Sequence, residues 1–347
     1  MIIREKEPAN LEMPFGELEG FFTPNEQFYI RSHFPVPALD LASWRLRVEG
    51  AVKEARSWSL DDLRQLPATT LPATLECAGN SRVFLVPKVK GTQWELGAVG
   101  NAEWTGVLLG EVLRAAGINE GALEVILEGA DAGTISEAPK PAGKIHYARG
   151  VPLGKALEGV LLAYEMNGEP LTPAHGFPLR AIVPGWYGMA AVKWLQRIVV
   201  TDQPYNGYYQ TVDYAFWERA DAGVRLVPIT EMQVKAAIAR PGINEVIAAG
   251  ANYKVTGAAW TADADIVKVE LSTDGGSSWQ VASLGKENAR HSWRLWEFDW
   301  NVPQEGGHRV LLARATDSRG RTQPMERDLD LGSYQINHCL PIDVEIR

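Results

Sequence analysis

The sequence predicts an α+β unit built on a mixed sheet, followed by an all-β, immunoglobulin-like sandwich. Three observations carry this expectation. Up to about residue 220, strands mix with short helices, without the regular strand–helix–strand series of a doubly wound fold. From about residue 225 only short strands and tight turns follow. The chain has 347 residues, enough for about two domains. The two units are therefore expected at residues 1–224 and 225–347.

In the first unit, Trp44 to Glu49 alternates in the manner of a half-buried strand. Ser59 is placed to cap a helix, with Asp62 three residues on to close a capping box. Residues Gly106 to Ala116 have helical spacing and end at Gly117, a C-cap signal. Buried strands are expected at Glu124–Leu127, Val160–Tyr164, Leu179–Val183 and Ile198–Val200. In the second unit, strands are expected at Tyr253–Gly257, Ile266–Leu271, Trp279–Ala282, Leu295–Trp300 and Arg309–Ala315. The run Asp274-Gly275-Gly276 between two of them is a strong hairpin signal.

Composition excludes several classes. The net charge of −9 argues against a nucleic-acid binder or a partner of anionic membranes. Two distant cysteines, Cys77 and Cys339, make no disulfide framework, and Cys339 is expected to be a packed or free thiol. No apolar run approaches the ~20 residues of a membrane span. The N-terminus carries no signal-peptide core and no twin arginine, so the expected compartment is the cytoplasm, or the periplasm if an export signal has been removed. No haem-attachment or iron–sulfur cysteine spacing is present, so no haem is expected.

The chemistry concentrates around Cys77, in Leu75-Glu76-Cys77-Ala78-Gly79-Asn80-Ser81-Arg82. A thiolate is a strong ligand for soft metals, and a nearby cation such as Arg82 favours it over the thiol. One cysteine on a rigid turn can anchor a metal whose other ligands come from an organic cofactor. Read alone, Cys77 could equally be a small buried hydrophobe. Arg31 and His33, two apart on an expected strand, would face one side and could hold an anion. His175 and Arg180 bracket a Gly-Phe-Pro turn, and a guanidinium there suits phosphate. The glycine-rich loop from Pro184 to Lys193 can bring backbone N–H groups to an anion.

These runs together resemble the sulfite oxidase family of molybdenum enzymes. The cysteine run matches its metal-binding motif, and Gly257-Ala258-Ala259-Trp260 with Ile266 to Trp279 resembles its dimerisation domain. The resemblance covers the chain from about Phe28 onward. It implies a sulfite-oxidase-type molybdopterin domain, a molybdenum–molybdopterin cofactor (Moco) and a homodimer. It implies Cys77, Arg31 and Tyr214, of the Asp213-Tyr214 pair, as catalytic groups, with Cys77 as the metal ligand and Arg31 and Tyr214 also touching the substrate. It further implies that Arg82, Lys90 and Trp94 border the substrate. Phe28, Arg31, His33, Asp131, His175, Arg180, Ala191, Val192 and Lys193 would contact the cofactor. Without the resemblance, Trp94 would be core, Asp131 a turn residue and Tyr214 a packing residue.

The implied activity is transfer of an oxygen atom to or from a small oxyanion. Oxidation of sulfite to sulfate is the first choice, and nitrate or an S-oxide the alternative. Electrons would pass to an external acceptor such as a cytochrome. The sequence departs from the family at four places. Ser32 replaces Asn, Ser81 and Asn337 stand where arginines are expected, and Ala190 and Ala191 replace two more polar residues. A more weakly held dianion is therefore expected. Two other classes compete: a cofactor-free module that binds an anion through Arg31, Arg82 and His175, and a thiol enzyme with Cys77 as nucleophile.

Overall fold

Two five-stranded sheets form the first part of the fold. In a computed structural model, which describes residues 1–221 and 223–347, one sheet orders its strands Arg56–Trp58, Leu46–Gly50, Leu195–Thr201, Glu124–Thr134 and Lys144–Pro152. Only the contact between Leu195–Thr201 and Leu46–Gly50 is parallel, so this sheet is mixed as expected. The other sheet runs Glu169–Pro170, Leu161–Met166, Val99–Leu108 and Ala68–Glu76, with Arg180–Ile182 also on Leu161–Met166. Its edge strand, Ala68–Glu76, delivers Cys77 at its end.

The helices are short. Leu60–Arg64 starts with the expected capping box, in which Ser59 and Asp62 satisfy each other's backbone N–H. The helix expected from Gly106 begins only at Leu109. Residues Gly106 to Leu108 instead pair with Leu161 to Ala163, because cross-strand hydrogen bonds in a buried sheet outweigh local helical spacing. The helix does end at Gly117.

The second part consists of two further sheets. One holds Lys235–Arg240, Asn252–Trp260, Arg294–Asn301 and Ser283–Leu284. The other holds Glu245–Ile247, Ile342–Ile346, Gly307–Asp317, Ile266–Ser272 and Gln280–Val281. Ile266–Ser272 and Gln280–Val281 pair antiparallel across the Asp274-Gly275-Gly276 turn, which Ser272 and Ser278 fasten to the Asp274 carboxylate. Among the described residues, the one helical turn in this half is Leu329–Leu331.

The two halves interlock along the strand that carries Cys77. Thr74 donates its N–H to the His291 carbonyl at 2.9 Å, and its hydroxyl accepts from the Trp293 N–H at 2.7 Å. The Trp293 indole reaches the Phe21 carbonyl at 2.8 Å. The open edge formed by the strand Ala68–Glu76 is thereby covered. Among the described residues, no helix is long and apolar enough to cross a membrane.

Candidate active site

Cys77 leaves the sheet edge in a tight turn. Its N–H bonds the Ala98 carbonyl at 2.9 Å, and its own carbonyl accepts from Asn80 at 2.8 Å. The side chain is buried at one wall of a cleft that Arg31, His175, Arg180, Lys193 and Tyr214 also line. Burial pushes the Cys77 thiol up, against the pull of Arg31 and Arg82. The nearby cations are therefore insufficient to make a free thiolate, and a metal would have to do so.

Several distant segments bring basic groups to the same cleft. Arg31 and His33 line it, although their segment is irregular rather than a strand. The Ser32 N–H bonds the Asn10 side chain at 2.8 Å instead of a sheet partner, and Pro35 and Pro37 have no N–H to offer. His175 sits on the one-turn Pro173–His175 helix, opened by Pro173, and meets the Asn25 carbonyl at 3.1 Å. Arg180 opens the strand Arg180–Ile182 and lies 4.9 Å from the centroid of the Trp104 ring. Lys193 follows the Gly188–Ala190 turn and donates to Ser32 Oγ at 3.0 Å and to the Ala174 carbonyl at 2.9 Å. Asp131 sits where the strand Glu124–Thr134 bulges between Glu128 and Ala132, which turns it inward.

Crowding perturbs these groups. Burial first, then Arg180 and Lys193, hold His175 down to about 4. Burial lowers Arg180 to about 10, and burial with Arg180 lowers Lys193 well below its ordinary value. Burial raises Asp131 to about 7. Among the described residues, Asp131 is the one carboxylate lining a cleft that also presents Arg31, Arg180 and Lys193. Such an excess of buried positive charge is matched to an anion.

Tyr214 closes the other side. Its hydroxyl lies 2.7 Å from His33 Nε2. The His33 ring stacks on Tyr147 at 4.4 Å, and burial, reinforced by Arg31, Lys193 and Arg149, holds it well below its ordinary value. Phe28 packs edge-on against Trp104 and His175 and lines the same space, as do Ala191 and Val192.

Three expected site residues are not brought to the cleft. The Arg82 guanidinium is sandwiched between Gly79 and Gly91, where any Cβ would come within 2.6 Å of it, and lies 5.2 Å from the centroid of the Tyr334 ring. It donates to the Thr92 and Ser333 carbonyls at 2.8 and 3.2 Å, so these bonds are structural. Lys90 is exposed and pairs with Glu137 at 2.8 Å, because its loop turns outward. Trp94 is fully buried, in the same apolar cluster as Cys77 and Phe28, and does not line the space. Asn337 also lies elsewhere, with its amide 3.4 Å from the Val234 carbonyl. Ser81 faces Lys235 at 3.0 Å. Sequence reasoning missed Tyr29, Ser32 and Tyr147 in the lining, and Asn10 and Lys235 behind it. A lysine within the apolar run Val234 to Ala239 was the available signal for Lys235.

Residues 33–209 match the family model for the oxidoreductase molybdopterin binding domain, and residues 227–339 match that for the Mo-co oxidoreductase dimerisation domain. The chain belongs to the sulfite oxidase family of molybdenum oxidoreductases. It is 38% identical to mitochondrial sulfite oxidase of Drosophila melanogaster, over 92% of this chain and 58% of that protein. It is 38% identical to sulfite oxidase of Gallus gallus, over 93% and 72%. The NADH nitrate reductase 1 of Oryza sativa subsp. japonica is 33% identical, over 98% of this chain and 40% of that protein. Among solved structures, the sulfane dehydrogenase SoxCD of Paracoccus pantotrophus is similar, with a TM-score of 0.83 at 27% identity, over 97% of this chain and 84% of that one. The chain spans about six-tenths of the length of the first curated relatives it matches.

The residues fit the family's cofactor. Among the described residues, no cluster of three or more His, Cys, Asp or Glu side chains could hold a metal, so a metal at Cys77 needs ligands from an organic group. Arg180 Nε is buried without a partner on the cleft wall, as a donor awaiting an acceptor would be.

Proposed function

We propose that this protein is a Moco-dependent oxidoreductase that moves an oxygen atom to or from a small oxyanion, with oxidation of sulfite to sulfate as the favoured reaction. One observation carries the reading: a single buried thiol, Cys77, shares a cleft with Arg31, Arg180 and Lys193 and one carboxylate. When bound, the cofactor supplies two-electron oxygen-atom transfer at molybdenum. Cys77 would ligate the metal. Arg180, Lys193 and His175 would hold the anionic, pterin-bearing part, with Asp131 hydrogen-bonding the ring. Arg31, fixed by Asn10, would orient the oxyanion beside the metal. Tyr214 would donate its hydroxyl hydrogen toward the reacting oxygen, with neutral His33 as its hydrogen-bond partner.

Electrons would leave to an external acceptor such as a cytochrome. We place the join between the molybdopterin unit and the dimerisation unit at residues 224 and 225, with an immunoglobulin-like sandwich beyond it and a homodimer built through that half. The testing experiment is metal and pterin analysis of purified protein, followed by reductive titration with sulfite, nitrate and a sulfoxide. Bleaching by sulfite alone supports the proposal, and protein without molybdenum or pterin overturns it. Light scattering tests the dimer.

One observation favours a second substrate. Arg82 and Lys90 are engaged elsewhere, which leaves Arg31 as the guanidinium beside Tyr214. A site with one such cation suits a monoanion such as nitrate, or a neutral S-oxide, better than it suits a dianion.

A further inference from the structure

We infer that the buried ion pair between Glu76 and Lys235, completed by Trp260, positions Cys77 for metal ligation, so that the second half of the chain sets the geometry of the site in the first. The inference rests on the reading of Cys77 as the metal ligand.

Glu76 is the residue immediately before Cys77 and is buried. One of its oxygens accepts from Lys235 Nζ at 2.8 Å and from the Asn80 amide at 3.1 Å. The other accepts from the Trp260 indole at 2.8 Å. The same Lys235 ammonium donates to Ser81 Oγ at 3.0 Å. Both ends of the cysteine turn, Glu76 and Ser81, thus hang on one lysine from the strand Lys235–Arg240. A third grip comes from Gln335, whose N–H bonds the Ala78 carbonyl at 2.8 Å.

Stability alone does not account for this arrangement. Lys235 and Glu76 are 1% and 2% exposed in their side chains. Removing two charges from water at such depth costs as much as their attraction returns, and apolar residues of similar volume would hold the halves together equally well. What the arrangement adds is direction: five hydrogen bonds of fixed length reach Glu76, Ala78 and Ser81 within the six residues from Glu76 to Ser81. Ser81 has a φ of +76°, a left-handed conformation that a non-glycine residue keeps only when its surroundings impose it. The Lys235 contact is such an imposition. A metal–thiolate bond depends on where the sulfur sits, and groups behind a ligand orient it.

The test uses the cofactor-loaded protein and three variants. Glu76→Gln with Lys235→Met removes the pair without stranding a charge. Trp260→Phe removes one hydrogen bond and no charge. Cys77→Ser is the reference for loss of the ligand. Molybdenum content, melting temperature, the electron paramagnetic resonance spectrum of the one-electron-reduced metal, and kcat and KM are measured for each. The double variant should keep its molybdenum and melt near the parent, yet show a shifted spectrum and a kcat lowered roughly ten- to hundredfold at unchanged KM. A parent-like spectrum and kcat per molybdenum would overturn the inference, whatever the melting temperature. Should the double variant fail to fold, Trp260→Phe decides by the same spectrum: shifted supports the inference, unshifted overturns it. A parent-like spectrum in Cys77→Ser would instead overturn the assignment of Cys77 as ligand.

Discussion

The hydroxyl of Tyr214 lies 2.7 Å from Nε2 of His33, a residue 181 positions earlier in the chain. His33 is held neutral by burial and by Arg31, Lys193 and Arg149, and in the tautomer protonated at Nε2 its ring donates to the tyrosine oxygen and leaves the hydroxyl hydrogen free for the cleft. The tyrosine hydroxyl is thereby fixed on the wall of the cleft. Tyr214→Phe should lower kcat by about 10²-fold or more while changing KM little, which is the signature of a proton donor and not a binding group. Steady-state kinetics normalised to molybdenum content checks this.

Arg31 is the cation best placed to hold the oxyanion, and Asn10 fixes it by accepting from both Arg31 Nη1 at 3.4 Å and the Ser32 N–H at 2.8 Å. Loss of a charge-assisted hydrogen bond costs about 1.5–3 kcal/mol. Arg31→Met should therefore raise KM for sulfite roughly ten- to hundredfold. Asn10→Ala should raise it by a smaller factor, since the guanidinium remains but is less constrained. Kinetics with sulfite, alongside a fold check by circular dichroism, separates the two.

The sequence suggested that an arginine at position 337 would restore a missing charge beside the substrate. The structure places Asn337 outside the cleft, against the Val234 carbonyl. Asn337→Arg should accordingly leave KM for sulfite unchanged. A fall in KM would show that the side chain reaches the site after all.

Cys77→Ser should abolish activity and lower bound molybdenum while the fold persists. A serine oxygen is harder and less readily ionised than a thiol. The residue makes its hydrogen bonds through its backbone, to Ala98 and Asn80, and these survive the substitution. Elemental analysis and a melting curve report the two halves of this outcome.

Stability of the cofactor-free protein should depend on pH through two opposed groups. His175 titrates near 4 in the folded state, against an ordinary 6.5. As pH falls, the unfolded chain takes up this proton first. The stability that neutral His175 contributes is full above about 6.5 and is lost progressively between 6.5 and about 4. Asp131, raised from 3.8 to about 7, acts with the other sign: its contribution is full below 3.8 and is lost as pH rises to about 7. Melting curves across this range should flatten at the acid side in His175→Gln, by up to about 3 kcal/mol, and at the neutral side in Asp131→Asn.

The local features were legible in the sequence, and the distant ones were not. The Ser59 capping box, the Gly117 helix stop and the hairpin at Asp274 each depend on residues a few positions apart, and each was read correctly. So was the turn after Cys77, where the Asn80 N–H bonds the Cys77 carbonyl three residues back. The helix at Gly106 started late because strand pairing 55 or so residues away outweighed local spacing. Arg82 and Lys90 were misplaced for a related reason. A sequence shows that a cation is near in the chain, but not whether nearby carbonyls or a surface carboxylate have engaged it. Asn10 and Lys235 escaped notice because an amide near a terminus and a lysine in a strand both read as solvent-facing. Their roles exist only once segments 22 and 159 positions apart have met.

The edge strand that ends in Cys77 has no outer neighbour from its own sheet; the second half provides one through His291, Trp293 and Trp260. This makes the two halves poor candidates for exchange. A hybrid that joined this first half to a relative's second half would have to supply, at the same height along the strand, a carbonyl for Thr74 and an ammonium for Glu76. Without them it would leave a bare sheet edge and a solitary buried carboxylate next to Cys77. The seam between the halves therefore couples them: replacing Glu76 or Lys235 alone leaves the other's charge buried and unpaired.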